Sequence, residues 1–127
     1  MDLESARDAL VQESRELLDA MEAGLLDIEQ RGMSADAINA VFRAAHTIKG
    51  SAGLFGLEHI VSFTHVMENV LDRVRSHRLP MDEDLLSLLL AAGDYLSRLI
   101  DGIESGEDGI EPDPLRREAL LQRFADY

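Results

Sequence analysis

Residues 34–56 read SADAINAVFRAAHTIKGSAGLFG, and the spacing of their apolar letters decides the fold. Ile38, Val41, Phe42, Ala45, Ile48 and Ala52 recur at three- and four-residue intervals, the period of one buried face of an α-helix. Ser34 stands where its hydroxyl can accept from a free N–H of the first turn, and Gly53 or Gly56 is expected to end the helix. At ~100° per residue, His46 projects roughly 110° from the centre of the apolar face, on its margin and within reach of solvent. Asn39, Arg43, Gly50 and Gly53 share that side, with Lys49 between His46 and the core. Glycine inside a helix costs about 1 kcal/mol against alanine. Two glycines around Ser51 and Ala52, one turn from a flank histidine, therefore point either to close approach by another molecule or to helix packing and capping.

The same period continues on both sides, and no segment alternates apolar and polar residues as a strand would. Upstream, roughly Asp2 to Gln30 places Leu10, Val11, Leu17, Leu18, Met21, Leu25 and Ile28 on one stripe, and Gly32 breaks the pattern. Downstream, a helix from about Leu57 aligns Ile60, Thr64, Met67, Leu71 and Val74 ahead of Arg73, Arg75 and Arg78, cations that suit a helix C-terminus. Pro80 marks a break, and Asp82 or Asp84 can start a helix through Leu85, Leu88, Leu89, Ala92, Leu96, Leu99 and Ile103. Ser105 to Pro114 reads as a loop, and Pro114 to about Ala125 as a short helix carrying Leu115, Leu120, Leu121 and Phe124. The expected fold is all-α: an antiparallel four-helix up-down bundle with a short fifth C-terminal helix, one domain over residues 1–127.

Composition narrows the function. Twenty-five Asp+Glu against 12 Lys+Arg leave a net charge of −13. That balance disfavours nucleic acid and anionic membrane surfaces, whose binding depends on Lys and Arg. The absence of cysteine excludes disulfides, cysteine-ligated metal centres and cysteine nucleophiles. The acidic start MDLESARDALVQES is unlike a signal peptide, so a cytoplasmic location without direct membrane contact is expected.

The four histidines are the candidates for chemistry, since imidazole is poised near neutral pH. No two are spaced i, i+4, and neither His-Glu-x-x-His nor a repeated Glu-x-x-His occurs, so no metal site is expected. No GxxxxGK[ST] or GxGxxG loop is present to cradle a nucleotide, and no G-x-S-x-G elbow to present a serine. His65 and Glu68, at i, i+3, share a face of the third helix off its core stripe, either as a site or as a solvated flank. His59 and His77, near the two ends of that helix, read as solvated surface groups. Met21, Met33, Met67 and Met81, with Met1, read as core filler and helix-end residues. The acidic faces of the first and fourth helices read as solubility features, with steering of a basic partner as the alternative.

The stretch Phe42 to Leu57, FRAAHTIKGSAGLFGL, followed by His65-Val66-Met67-Glu68, resembles the histidine phosphotransfer domain of chemotaxis histidine kinases of the CheA type. The specific motifs span Phe42 to about Arg75, and the rest fits by helix number and periodicity. The resemblance implies that His46 is the phosphate-accepting histidine, with Lys49, His65 and Glu68 as a polar network around it. It implies an N-terminal domain of a larger kinase, phosphorylated in trans by the kinase's ATP-binding domain and donating to an aspartate of a CheY-like or CheB-like response regulator. No cofactor would be bound by this domain. ATP-Mg would lie on the kinase partner and Mg on the receiver.

Chemically, a neutral imidazole attacks a phosphoryl group if its other nitrogen is protonated and held, and a carboxylate such as Glu68 can accept that N–H bond. Lys49 supplies positive charge for a group that adds about −1.5 to −2 charges. A receiver is expected to dock beside His46 on the first and second helices, over Arg43 and the small residues Gly50 and Gly53. The alternative is a helical interaction domain that offers a groove to a partner helix and does no phosphochemistry.

Overall fold

The computed structural model describes residues 2–107 and 110–127. Met1 and residues 108–109 of the expected loop lie outside them. Five helices follow in order: α1 Leu3–Arg31, α2 Ala35–Leu54, α3 Glu58–Arg75, α4 Glu83–Glu104 and α5 Pro114–Ala125. Each long helix packs on two of the others in a closed ring, α1 on α2, α2 on α3, α3 on α4 and α4 on α1, while α5 lies against α3 and α4. Short connections between neighbours make the ring an antiparallel up-down bundle.

The helix starts are set by side-chain oxygens accepting otherwise unpaired first-turn N–H groups. Asp2 accepts from Ser5 at 2.7 Å, Ser34 from Ala37 at 3.1 Å, Asp82 from Leu85 at 2.8 Å and Asp113 from Arg116 at 3.0 Å. The choice left open between Asp82 and Asp84 thus falls on Asp82. The end of α2 resolves the choice between Gly53 and Gly56. Gly56 adopts φ 69°, Leu57 N–H donates to Ala52 O at 3.0 Å, and Gly56 N–H donates to Gly53 O at 3.1 Å. This paired closure needs a left-handed residue at Gly56, so Gly53 stays inside the helix. The same closure ends α3 with His77 in the left-handed position, φ 63°, which gives that exposed histidine a backbone role.

The core follows the expected stripes. Leu85, Leu88, Leu89, Ala92, Leu96, Leu99 and Ile103 of α4 are all buried, and Phe63 of α3 meets Tyr95 of α4 with ring centroids 5.2 Å apart. Met21 and Met67 are core residues, and Met33 is exposed. Four residues depart from the stripes. Leu115 is exposed, because α5 turns only Leu120 and Phe124 fully inward. Leu17 and Leu18 are half-buried, and their stripe is completed by the buried Ser14. Phe42 is also half-buried and its ring is used at the surface.

α5 is tied down by polar contacts as well as by the buried Leu120 and Phe124. Arg117 donates to His59 O at 2.9 Å, to Ser62 Oγ at 2.8 Å and to Glu111 at 3.1 Å. Tyr95 Oη donates to Asp113 O at 3.1 Å. Among the described residues no helix is long and apolar enough to cross a membrane.

Candidate phosphoryl-acceptor site

α2 and α3 lie side by side, and their facing flanks hold a three-residue polar chain. His46 Nδ1 lies 3.0 Å from Glu68 Oε1, and Lys49 Nζ lies 2.8 Å from Glu68 Oε2. Exposure grades steeply across it: the side chains of His46, Lys49 and Glu68 are 62%, 23% and 12% exposed. Glu68 is therefore not the solvated flank residue that its place off the core stripe allowed. It is a buried carboxylate, and a buried carboxylate needs compensation, which here comes from two donors on the neighbouring helix. Burial pushes its carboxyl up, but the Lys49 and His46 hydrogen bonds and charges outweigh that and hold it below the ordinary glutamate range.

The carboxylate fixes the histidine tautomer. An ionised Glu68 can only accept, so Nδ1 carries the proton and donates it, leaving the Nε2 lone pair unprotonated. A nucleophilic nitrogen is thus presented on a ring that is mostly in solvent, with its orientation set from the buried side.

Other residues of the expected site divide. Gly50 is exposed, and a Cβ built on it would meet no atom within 4 Å, so the surface one turn beyond His46 is open. Gly53 is exposed too, 3.9 Å from Val61 at the same imagined atom. Arg43 is exposed and makes no ion pair among the described residues. His65 is exposed on α3 and forms no hydrogen bond or ion pair with His46, Lys49 or Glu68. Reasoning on the sequence missed two participants. The Phe42 ring stacks on that of His46, and the Arg75 guanidinium lies on the Phe42 ring. The i, i+4 spacing of Phe42 and His46 carried the first signal. The second required knowing how α3 lies along α2.

A four-helix bundle that holds a solvent-facing imidazole against a buried carboxylate of the next helix defines the class: a helical domain that presents one histidine with a free ring nitrogen. The chain belongs to the Hpt domain family, whose model matches residues 5–106. It is 42% identical over 98% of its length to a chemotaxis protein CheA of Rhizobium meliloti, and it spans 16% of that protein. Among solved structures it is similar to the phosphorylated P1 domain of CheA3 from R. sphaeroides, determined in complex with CheY6. The TM-score is 0.88 and the identity 30%, covering 98% of this chain and 95% of that one. The CheA phosphotransferase domain of Thermotoga maritima gives a TM-score of 0.77 at 32% identity, over 82% of this chain and 99% of that one.

Proposed function

We propose that this chain is the phosphoryl-carrying domain of a longer chemotaxis histidine kinase, working in the cytoplasm between an ATP-binding catalytic domain and response regulators of CheY or CheB type. The observation that carries the reading is the His46 Nδ1 to Glu68 contact at 3.0 Å on an otherwise exposed ring. In the first half-reaction Nε2 attacks the γ-phosphorus of ATP held with magnesium by the kinase partner. The N–P bond forms, the bond to the β,γ-bridging oxygen breaks, and ADP leaves. The ring, now bonded at Nε2 and still protonated at Nδ1, carries positive charge that Glu68 stabilises. In the second half-reaction an aspartate oxygen of the receiver, beside its own magnesium, attacks phosphorus and the N–P bond breaks. The imidazole returns neutral with its Nδ1 proton in place.

Lys49 has two effects in this scheme. Paired with Glu68, it cancels a carboxylate charge that would otherwise repel the incoming phosphoryl group. It also adds a cation one turn from His46 in a domain of net charge −13. His65, exposed and outside the hydrogen-bonded chain, acts only when a phosphoryl group or partner is present. Arg43, Gly50 and Gly53 form the approach surface. The domain itself binds no cofactor.

The test is to incubate the domain with a chemotaxis-kinase catalytic fragment and labelled ATP, then chase with a receiver and magnesium. Acid-labile label on the wild type, absent from His46→Gln and passed to the receiver, is the expected result. A folded domain that takes no label from several kinase fragments would leave the interaction-domain reading in its place.

A further inference from the structure

Phe42 lies one helical turn before His46, and the two rings are nearly parallel, 13° apart in plane with centroids separated by 6.0 Å. From α3, the Arg75 Cζ sits 3.7 Å from the centre of the Phe42 ring. Arg75 is not loose there: its Nε donates to Asp72 Oδ1 at 2.9 Å, one turn back on the same helix. Asp72 thus orients the guanidinium, the guanidinium caps Phe42, and Phe42 flanks the imidazole. The series runs from the C-terminal turn of α3 to the ring of His46.

Neither the core nor the helix end requires this arrangement. Phe42 is only half-buried, and Arg73 in the last turn of α3 already supplies charge opposite the helix dipole without Arg75. His46, by contrast, needs support. Its ring is 62% exposed and has one hydrogen bond, which fixes the position of Nδ1 but leaves the ring plane free to tilt about it. A flat neighbour restricts that tilt, and a guanidinium on the flat neighbour restrains it in turn.

We propose that Arg75 is a positioning residue for His46, acting through Phe42 to hold the imidazole plane in the orientation that keeps Nδ1–H on Glu68 and Nε2 in solvent. Its kinetic consequence rests on the phosphotransfer reading; its geometric consequence does not.

Arg75→Lys keeps the charge at the end of α3 and removes the planar group, so it separates this role from a helix-terminus effect. Phe42→Leu keeps apolar bulk and removes the flat face. A cation on an exposed aromatic face contributes on the order of 0.5–1 kcal/mol, equivalent to about two- to fivefold in rate. Arg75→Lys and Arg75→Ala should each lower kcat for phosphoryl uptake from a kinase fragment by about that factor, with KM for the domain unchanged. Arg75→Ala should add nothing in the Phe42→Leu background. Nitrogen-15 NMR of the ring should show His46 moving from the Nδ1–H form toward a tautomer mixture in the same variants. Wild-type kcat and tautomer in Arg75→Lys, or a full additional loss from Arg75→Ala on top of Phe42→Leu, would overturn the proposal. If the wild type takes up no phosphoryl group, the functional reading fails. The tautomer measurement then decides on its own, unchanged spectra in Phe42→Leu and Arg75→Ala counting against the positioning role.

Discussion

Replacing Glu68 by glutamine changes one atom and removes the charge on which the site depends. The amide oxygen can still accept from His46 Nδ1–H, but its NH2 group then faces the Lys49 ammonium that now lies 2.8 Å from Oε2. The opposite orientation satisfies Lys49 and sets two donors against each other at Nδ1. A hydrogen bond to a charged acceptor contributes about 1.5–3 kcal/mol, against about 0.5–1.5 for a neutral one. The hold on the tautomer therefore weakens by about 1–1.5 kcal/mol, or roughly tenfold in phosphoryl uptake. Stability falls less than the 3–5 kcal/mol typical of breaking a fully buried pair, because Lys49 at 23% exposure can turn to water; about 1–2 kcal/mol is expected. The assay is the initial rate of acid-labile labelling by a kinase fragment, alongside urea unfolding followed by circular dichroism. A Glu68→Gln domain that is labelled at the wild-type rate, with the His46 tautomer unchanged, would refute the assignment of Glu68 as the group that sets the nucleophile.

Three further outcomes are expected. Because the Glu68 carboxyl is held below its ordinary value, its contribution to stability is complete above the unfolded-state value of about 4.3 and is lost as pH falls through the folded-state value. The difference in unfolding free energy between wild type and Glu68→Gln, from urea melts, should stay level from pH 7 to about 5 and shrink below about 4. A gap still at its neutral size near pH 2 would count against this linkage. Gly50→Leu adds a side chain into open space on a helix, so stability should rise by about 0.5–1 kcal/mol while transfer to a receiver falls at least tenfold. Undiminished transfer in that variant would sink the docking surface. Gly24→Ala puts a methyl 2.6 Å from Cγ2 of the fully buried Val41, which cannot rotate away, so a thermal melt should show a loss of about 1–2 kcal/mol despite alanine's better helix propensity.

Much of the bundle was legible because each helix signals itself locally. Ser34, Asp82 and Pro114 sit at helix starts, Gly32 at an end, and α4 carries one unbroken apolar stripe. The exposure of His46 was legible for the same reason, since it depends only on angle around α2. Burial of Glu68 was not. α3 touches α2, α4 and α5, so its buried arc is wider than one stripe and includes Phe63, Glu68 and Val70 as well as the aligned positions. A count of apolar letters cannot find a charge inside that arc. Lys49, on the adjoining flank of α2, was the one available signal, because a carboxylate is buried when a cation is there to meet it.

The grading of exposure across the site is what phosphoryl relay demands of a bundle. On the proposed relay the nucleophile has to be reached by two different partners, so it cannot be enclosed, and an enclosed ring is the usual means of fixing a tautomer. Glu68 resolves this conflict by acting from beneath: it is anchored in the interface of two helices while one of its two carboxylate oxygens reaches the exposed ring. A carboxylate in that place would repel the phosphoryl group, which brings about −1.5 to −2 charges to a domain already at −13. Lys49 removes that repulsion without taking the proton-holding oxygen, because it binds Oε2 and leaves Oε1 to His46. The three side chains are thus coupled through Glu68. Lysine loses its anchor without glutamate, glutamate its compensation without lysine, and histidine its tautomer without either, so substitutions at the three positions are expected to be far from additive in phosphoryl uptake.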